Sequence, residues 1–81
     1  MTIVIDGAIF YPIPGTEDKY YISMERDIYS INRHRYAAKE GNTVRLSING
    51  SYKRYNCDKL LIDALFAYIA YIKSTINSLI P

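Results

Sequence analysis

The sequence predicts a small α+β domain in which antiparallel β-hairpins and a small sheet precede one long C-terminal α-helix. Short tyrosine-rich and β-branched runs alternate with turn residues up to residue 56, and an Asn-Gly pair separates two of them. From residue 57 onward the apolar residues recur with helical spacing. A chain of 81 residues has room for one core, so residues 1–81 are expected to form a single domain, β-rich over 10–56 and helical over 57–80.

The first strands are short, and each ends at turn residues. Asp6-Gly7 and the segment 12–15 (PIPG) are turn signals, and residues 24–27 fit a four-residue hairpin connection. Residues 33–39 indicate neither strand nor helix clearly. Extended segments are therefore predicted at residues 2–5, 8–11, 20–23 and 28–32.

The clearest local prediction is a hairpin around Asn49-Gly50. Residues 43–48 alternate apolar and polar side chains, and a two-residue turn fixes the pairing with residues 51–56. This register puts Leu46 and Lys53 on the buried face and Arg45 opposite Arg54 on the other. Two directly opposed arginines repel each other. Either an anion lies across that face and offsets the repulsion, or both side chains splay into water, where the repulsion is small.

The C-terminal segment is expected to be a helix with Asn56 as its N-cap and Asp58 near its positive end. Apolar side chains lie on almost every side of this helix, and so small a protein has little with which to enclose them. A homodimer through the helix is therefore predicted. Its interface residues are Leu65, Phe66, Tyr68, Ile69, Ile72 and Ile76.

Membrane attachment through residues 60–81 is an alternative that the sequence does not favour. The uninterrupted apolar run, residues 64–72, has nine residues, about half of what a bilayer span needs. The N-terminus also lacks a basic region followed by an apolar core, as a secretory signal would require. We therefore expect a cytoplasmic protein without a membrane segment.

Basic residues are concentrated in the middle of the chain. Residues 26–59 hold eight basic and three acidic side chains, whereas residues 1–25 hold one basic and four acidic ones. Such an asymmetry suggests a polyanionic partner such as DNA, since lysine and arginine neutralise phosphates and tyrosine stacks on bases. The alternative is a basic surface that only confers solubility. The predicted nucleic-acid-binding residues are Arg33, His34, Arg35, Tyr36, Lys39, Arg45, Tyr52, Lys53, Arg54 and Lys59.

The chain does not hold the usual sets of catalytic or metal-binding residues. Cys57 and His34 are the single representatives of their types, and there is no glycine-rich phosphate loop or nucleophile elbow. Cys57 near a helix N-terminus fits either a thiol of lowered pKa or a buried small hydrophobe. We expect no enzyme activity, no metal and no cofactor.

Two blocks of the sequence resemble a known module. Residues 13–23 (IPGTEDKYYIS), followed by 28–30 (IYS), are similar to the nuclease-associated modular, or NUMOD-type, DNA-binding segment of phage HNH homing endonucleases. Phe10 stands where that family usually has tryptophan. The basic hairpin and residues 57–61 (CDKLL) match the family's second block, where Val-His-Arg-Leu-Val opens a helix. The resemblance covers roughly residues 10–66.

The sequence also departs from this family. Asp18 replaces a glycine, Arg26 replaces the glycine of an Asn-x-Gly turn, and Asp58 replaces the histidine that opens the helix. Because arginine disfavours positive φ, we expect the turn at Arg26 to be rebuilt. The Asp-His…Asn…Asn-Asn metal block of the nuclease is missing. The resemblance thus implies a non-catalytic DNA-binding module of phage or mobile-element type.

A different class of function fits the same sequence. The chain could be a phage-type inhibitor or regulator that grips a host protein through the apolar helix or the tyrosine-rich sheet. Salt separates the two hypotheses, because DNA binding weakens steeply with added salt and an apolar protein interface does not.

Overall fold

The predicted fold class is confirmed by the computed structural model, which describes residues 1–79. Eight short strands precede one helix, α1, which spans Cys57–Leu79. Residue 80, which the sequence also assigned to the helix, lies outside the described residues. The strands are β1 (Ile3–Ile5), β2 (Ala8–Pro12), β3 (Tyr20–Ser23), β4 (Ile28–Ser30), β5 (Arg35–Tyr36), β6 (Lys39–Glu40), β7 (Thr43–Ile48) and β8 (Ser51–Asn56).

The strands form two antiparallel sheets. The first is a five-stranded meander in the order β1-β2-β3-β4-β5, and the second has the order β6-β7-β8. The two-residue strands β5 and β6 lie in the region where the sequence pattern was unclear. β5 is the last strand of the first sheet and β6 is the first strand of the second, so residues 35–40 connect the two sheets.

The hairpin β7–β8 has the predicted register. Arg45 pairs with Arg54 across the Asn49-Gly50 turn, and Leu46 pairs with Lys53. Leu46 is completely buried, whereas Arg45 is exposed, as the alternation predicted. Lys53 lies on the same face as Leu46, as predicted, but it is exposed, so the expectation that it is buried there is wrong. Because β8 is an edge strand, this long side chain reaches solvent, and its amine lies 5.6 Å from the ring centre of Tyr55.

The helix begins where the sequence predicts. The Asn56 side-chain oxygen accepts a hydrogen bond of 3.0 Å from the backbone N–H of Lys59, which caps the first turn. Within the described helix the buried side chains all belong to the first two turns, and they are Cys57, Leu60, Leu61 and Ala64.

These two turns complete the single hydrophobic core. Ile22 and Ile28 of the first sheet, Leu46 of the second, and Leu61 of the helix belong to one packed cluster. Beyond the core the helix projects into solvent, so the radius of gyration is 13.2 Å and the long axis is 47 Å. A compact chain of this length would have a radius of gyration of about 12 Å.

The turn between β3 and β4 is not rebuilt, contrary to expectation. Arg26 itself adopts the left-handed conformation, with φ of 69°. Its side chain forms a hydrogen-bonded ion pair with Asp58 at the helix start, and its carbonyl accepts a bond of 3.0 Å from the Lys39 amine. Asn42 donates a second hydrogen bond of 2.8 Å to Asp58. Bonding to Arg26 and then to Asn42 lowers the pKa of Asp58.

Gly15, in the loop between β2 and β3, is in close contact with the tip of the β7–β8 hairpin. Its φ is +81°, and its carbonyl accepts a hydrogen bond of 2.8 Å from the backbone N–H of Asn49, at the tip of the β7–β8 hairpin. A Cβ at this position would lie 2.8 Å from Ile48 Cγ2. Glycine is therefore required here for two reasons, the backbone conformation and the contact with the hairpin.

Replacing Gly15 with alanine should therefore destabilise the protein more than the same change at Gly41. Gly41 also has positive φ (+58°), but a Cβ there would meet nothing within 4 Å. Gly41→Ala should cost about 1–2 kcal/mol for the backbone conformation alone. Gly15→Ala should cost at least about 1 kcal/mol more because of the clash. Urea unfolding of both variants measures the difference, and equal losses would contradict the contact.

Candidate nucleic-acid interface

A cleft of about 460 Å³ opens between the two sheets, and basic residues line it. Arg33 and Arg35 reach it from the end of the first sheet, and Arg45 and Arg54 from the paired strands β7 and β8. Among residues 1–79, Glu40 is the single carboxylate-bearing residue in the lining. We call this cleft the arginine groove. Four arginines against one carboxylate give its lining a net positive charge.

The pairing of these side chains leaves most of the positive charge uncompensated. Arg54 Nη1 donates a hydrogen bond of 3.1 Å to Thr43 Oγ1 and lies 3.3 Å from Glu40 Oε2. These contacts draw Arg54 toward the carboxylate and lessen its repulsion of Arg45. Among residues 1–79, no carboxylate lies within 4.0 Å of the charged groups of Arg33, Arg35 or Arg45.

Aromatic rings form part of the same lining. Tyr52 lies on the face of the hairpin that carries the arginines and is 62% exposed. Tyr36 is held more firmly, because its hydroxyl donates a hydrogen bond of 2.7 Å to Asp6 and its ring packs edge-on to Tyr29. The bond to Asp6, more than any other cause, raises the pKa of Tyr36 to about 12. The Tyr36 hydroxyl is therefore already engaged, and only its ring is available for further contacts in the groove. Tyr52 has both its ring and its hydroxyl available.

The structure brings together six of the ten residues predicted from sequence and places four elsewhere. Lys39 is bonded to the Arg26 carbonyl and to Asp27, and Lys59 lies 3.6 Å from Asp63 on the helix. Lys53 stands on the opposite face of the hairpin. His34 occupies the exposed turn before β5 and does not line the groove.

A second cleft, of about 350 Å³, continues the arginine groove toward the hairpin tip. The two clefts share Tyr20, Ser30 and Arg33. The second adds Lys19 and Asn32, and also the carboxylate-bearing Glu17. Sequence reasoning missed Tyr20 and Lys19 because both precede the basic segment. The strand register was the available signal, since Tyr20 pairs with Ser30 at the end of β4 that leads to Arg33.

Comparisons with protein families, curated proteins and solved structures find no match to this chain. Within residues 1–79, no three or more His, Cys, Asp and Glu side chains are grouped so that they could hold a metal ion.

Cys57 is a buried side chain of the core. It has no exposed surface, and burial raises the pKa of its thiol. The effect of burial on this pKa outweighs that of the nearby positive charge of Lys39, which lowers it. Of the two roles that the sequence left open, the structure supports the small hydrophobe.

The Cys57 thiol should therefore be inert in the folded protein. A thiol of raised pKa holds less thiolate at neutral pH, and the surrounding core blocks access to the sulfur. Ellman's reagent should label one thiol per chain in denaturant and almost none under native conditions. Rapid stoichiometric labelling of the native protein would contradict the burial.

Proposed function

We propose that this chain is a non-catalytic DNA-binding module, of the kind carried by phages or mobile elements and acting in the cytoplasm. The observation that supports this most is the convergence of four arginines from both sheets on one cleft whose lining has a single carboxylate. Phosphates of a nucleic-acid backbone are the natural ligands of such a cleft, because guanidinium groups bind them with paired hydrogen bonds. The NUMOD resemblance agrees with this proposal.

The arginines and the exposed tyrosine of the groove would have different roles in DNA binding. Arg33, Arg35 and Arg45 would each neutralise a phosphate, because their charges are not already balanced by carboxylates among residues 1–79. Tyr52, exposed on the same face, would stack on a base or sugar. A two-stranded ribbon also fits the major groove of DNA, which would bring Arg45 near base edges.

A second candidate function draws on another observation. The helix beyond the core exposes large apolar side chains, among them Phe66 at 69%. An inhibitor or regulator of a host protein would use such a surface. In that case removing groove arginines should leave partner binding unchanged, and added salt should have little effect.

Alanine at groove arginines should weaken DNA binding in a salt-dependent way. For Arg35→Ala or Arg45→Ala, the slope of log affinity against log salt should fall by about one per lost phosphate contact. Fluorescence anisotropy with a labelled duplex, and with its single strand, at several salt concentrations measures this. Lys53→Ala is the matched control, because it removes one positive charge from the same hairpin but outside the groove.

The thermal stability of the arginine variants should not fall together with their affinity for DNA. Arg45→Ala relieves the repulsion across the hairpin, so its Tm should stay constant or rise while its DNA affinity falls. Two results would refute the proposal. One is wild-type protein that binds neither duplex nor single strand at low salt, and the other is Lys53→Ala weakening binding as much as Arg45→Ala.

A further inference from the structure

One line of side chains along α1 has a strict heptad spacing. The residues follow one another at intervals of three and four, the a and d positions of a coiled coil, and every one is isoleucine or leucine. We call this line the seam. It consists of Ile62, Leu65, Ile69, Ile72, Ile76 and Leu79.

The seam is distinct from the helix face that fills the core of the domain. The buried helix residues Leu60, Leu61 and Ala64 all lie outside it, and only Leu65 touches the edge of the core. Ile69 is 51% exposed and Leu79 is 77% exposed. A partner could therefore cover the seam without disturbing the domain.

Polar residues avoid the seam completely. Between residues 63 and 79 the polar side chains are Asp63, Tyr68, Tyr71, Lys73, Ser74, Thr75, Asn77 and Ser78, and none occupies an a or d position. From residue 73 to residue 79 every position outside the seam is polar, as expected for a helix with one apolar neighbour. Before residue 73 the helix is apolar on other sides as well, because Phe66 and Tyr71 are exposed outside the seam.

The core of the domain already takes up part of the apolar helix. Cys57–Leu79 is long and apolar enough to cross a membrane by length and composition alone. However, its first two turns are packed in the core of the domain, where lipid would not reach them.

We propose that a second copy of this chain covers the seam and that the two helices form a parallel coiled coil. The a positions 62, 69 and 76 are all isoleucine, and the d positions are Leu65, Ile72 and Leu79. Isoleucine at a with leucine at d favours two parallel strands, and two of the three layers at d follow this rule, whereas Ile72 does not. In a parallel pair of identical chains, each a or d residue lies beside the same residue of the other copy. Its domain also supplies a capped and packed first turn, so the nucleation cost that limits short isolated helices is already met.

The size of the seam is close to the minimum for a biological interface. Twelve isoleucine and leucine side chains from two copies would remove on the order of 1,000 Å² from water. Stable complexes bury about 1,200 Å² or more, so the seam fits a small interface. The dimer would also join two arginine grooves in one particle, although this proposal does not depend on DNA binding.

The mass of the full chain in solution, measured by light scattering after gel filtration, tests the proposal. Wild-type protein should be a dimer at micromolar concentration. Ile69→Glu together with Ile76→Glu should raise the dissociation constant at least about 100-fold and give a monomer. Tyr71→Glu is the matched control, since Tyr71 is 54% exposed and outside the seam, and this variant should remain dimeric. Circular dichroism confirms that each variant is folded.

Cysteine cross-linking tests the orientation of the helices. In a parallel pair Ile76 faces the same residue of its partner, so Ile76→Cys should form a disulfide-linked dimer under mild oxidation, whereas Tyr71→Cys should not. Wild-type protein, whose Cys57 is buried, gives the background.

Several results would overturn the proposal. They are a wild-type monomer at high micromolar concentration, a trimer, a dimer that survives the double glutamate change, and a dimer whose Ile76→Cys form does not cross-link. Flotation of a monomeric wild type with phosphatidylcholine vesicles would overturn it in favour of a membrane surface.

Discussion

The packing of the first two helical turns between the two sheets is the interaction on which the rest of the structure depends. Neither small sheet could bury a core alone, and the side chains of Cys57, Leu60, Leu61 and Ala64 give both sheets a common apolar surface. The ion pair of Arg26 with Asp58 and the backbone bond from Asn49 to Gly15 tie the surrounding loops to this arrangement. Loss of the helix start would separate the sheets and remove the groove between them.

This core lets the protein keep features that are unfavourable in themselves. Val44 and Leu46 anchor β7 in the core, so the strand can present Arg45 opposite Arg54 on its outer face. The helix, held firmly at its start, can project an apolar seam into solvent. Clustered like charges and exposed isoleucines are both unfavourable in the isolated chain. The two proposed partners, a polyanion for the groove and a second copy for the seam, would compensate for them.

Structural features that depend on residues close together in the chain could be predicted from the sequence. Features that depend on how the core is packed could not. The hairpin register and the Asn56 cap follow from local patterns, and both are confirmed. Charge alone could not separate Arg35, in the groove, from Lys39, whose amine is bonded elsewhere. The left-handed Arg26 was also missed, because the Asp58 that holds its side chain lies far along the chain. These features require knowledge of how the two sheets pack.

The central claim is that the core assembles one anion-binding groove from both sheets, and an NMR titration tests it most directly. A short DNA duplex added to isotopically labelled protein should shift the amide signals of Arg33, Arg35 and Arg45 together, along one saturating curve. The amides of Lys53 and Lys59 should move much less, although these residues carry the same charge. Shifts that cluster on the helix beyond residue 64, or that follow every basic residue equally, would contradict the account.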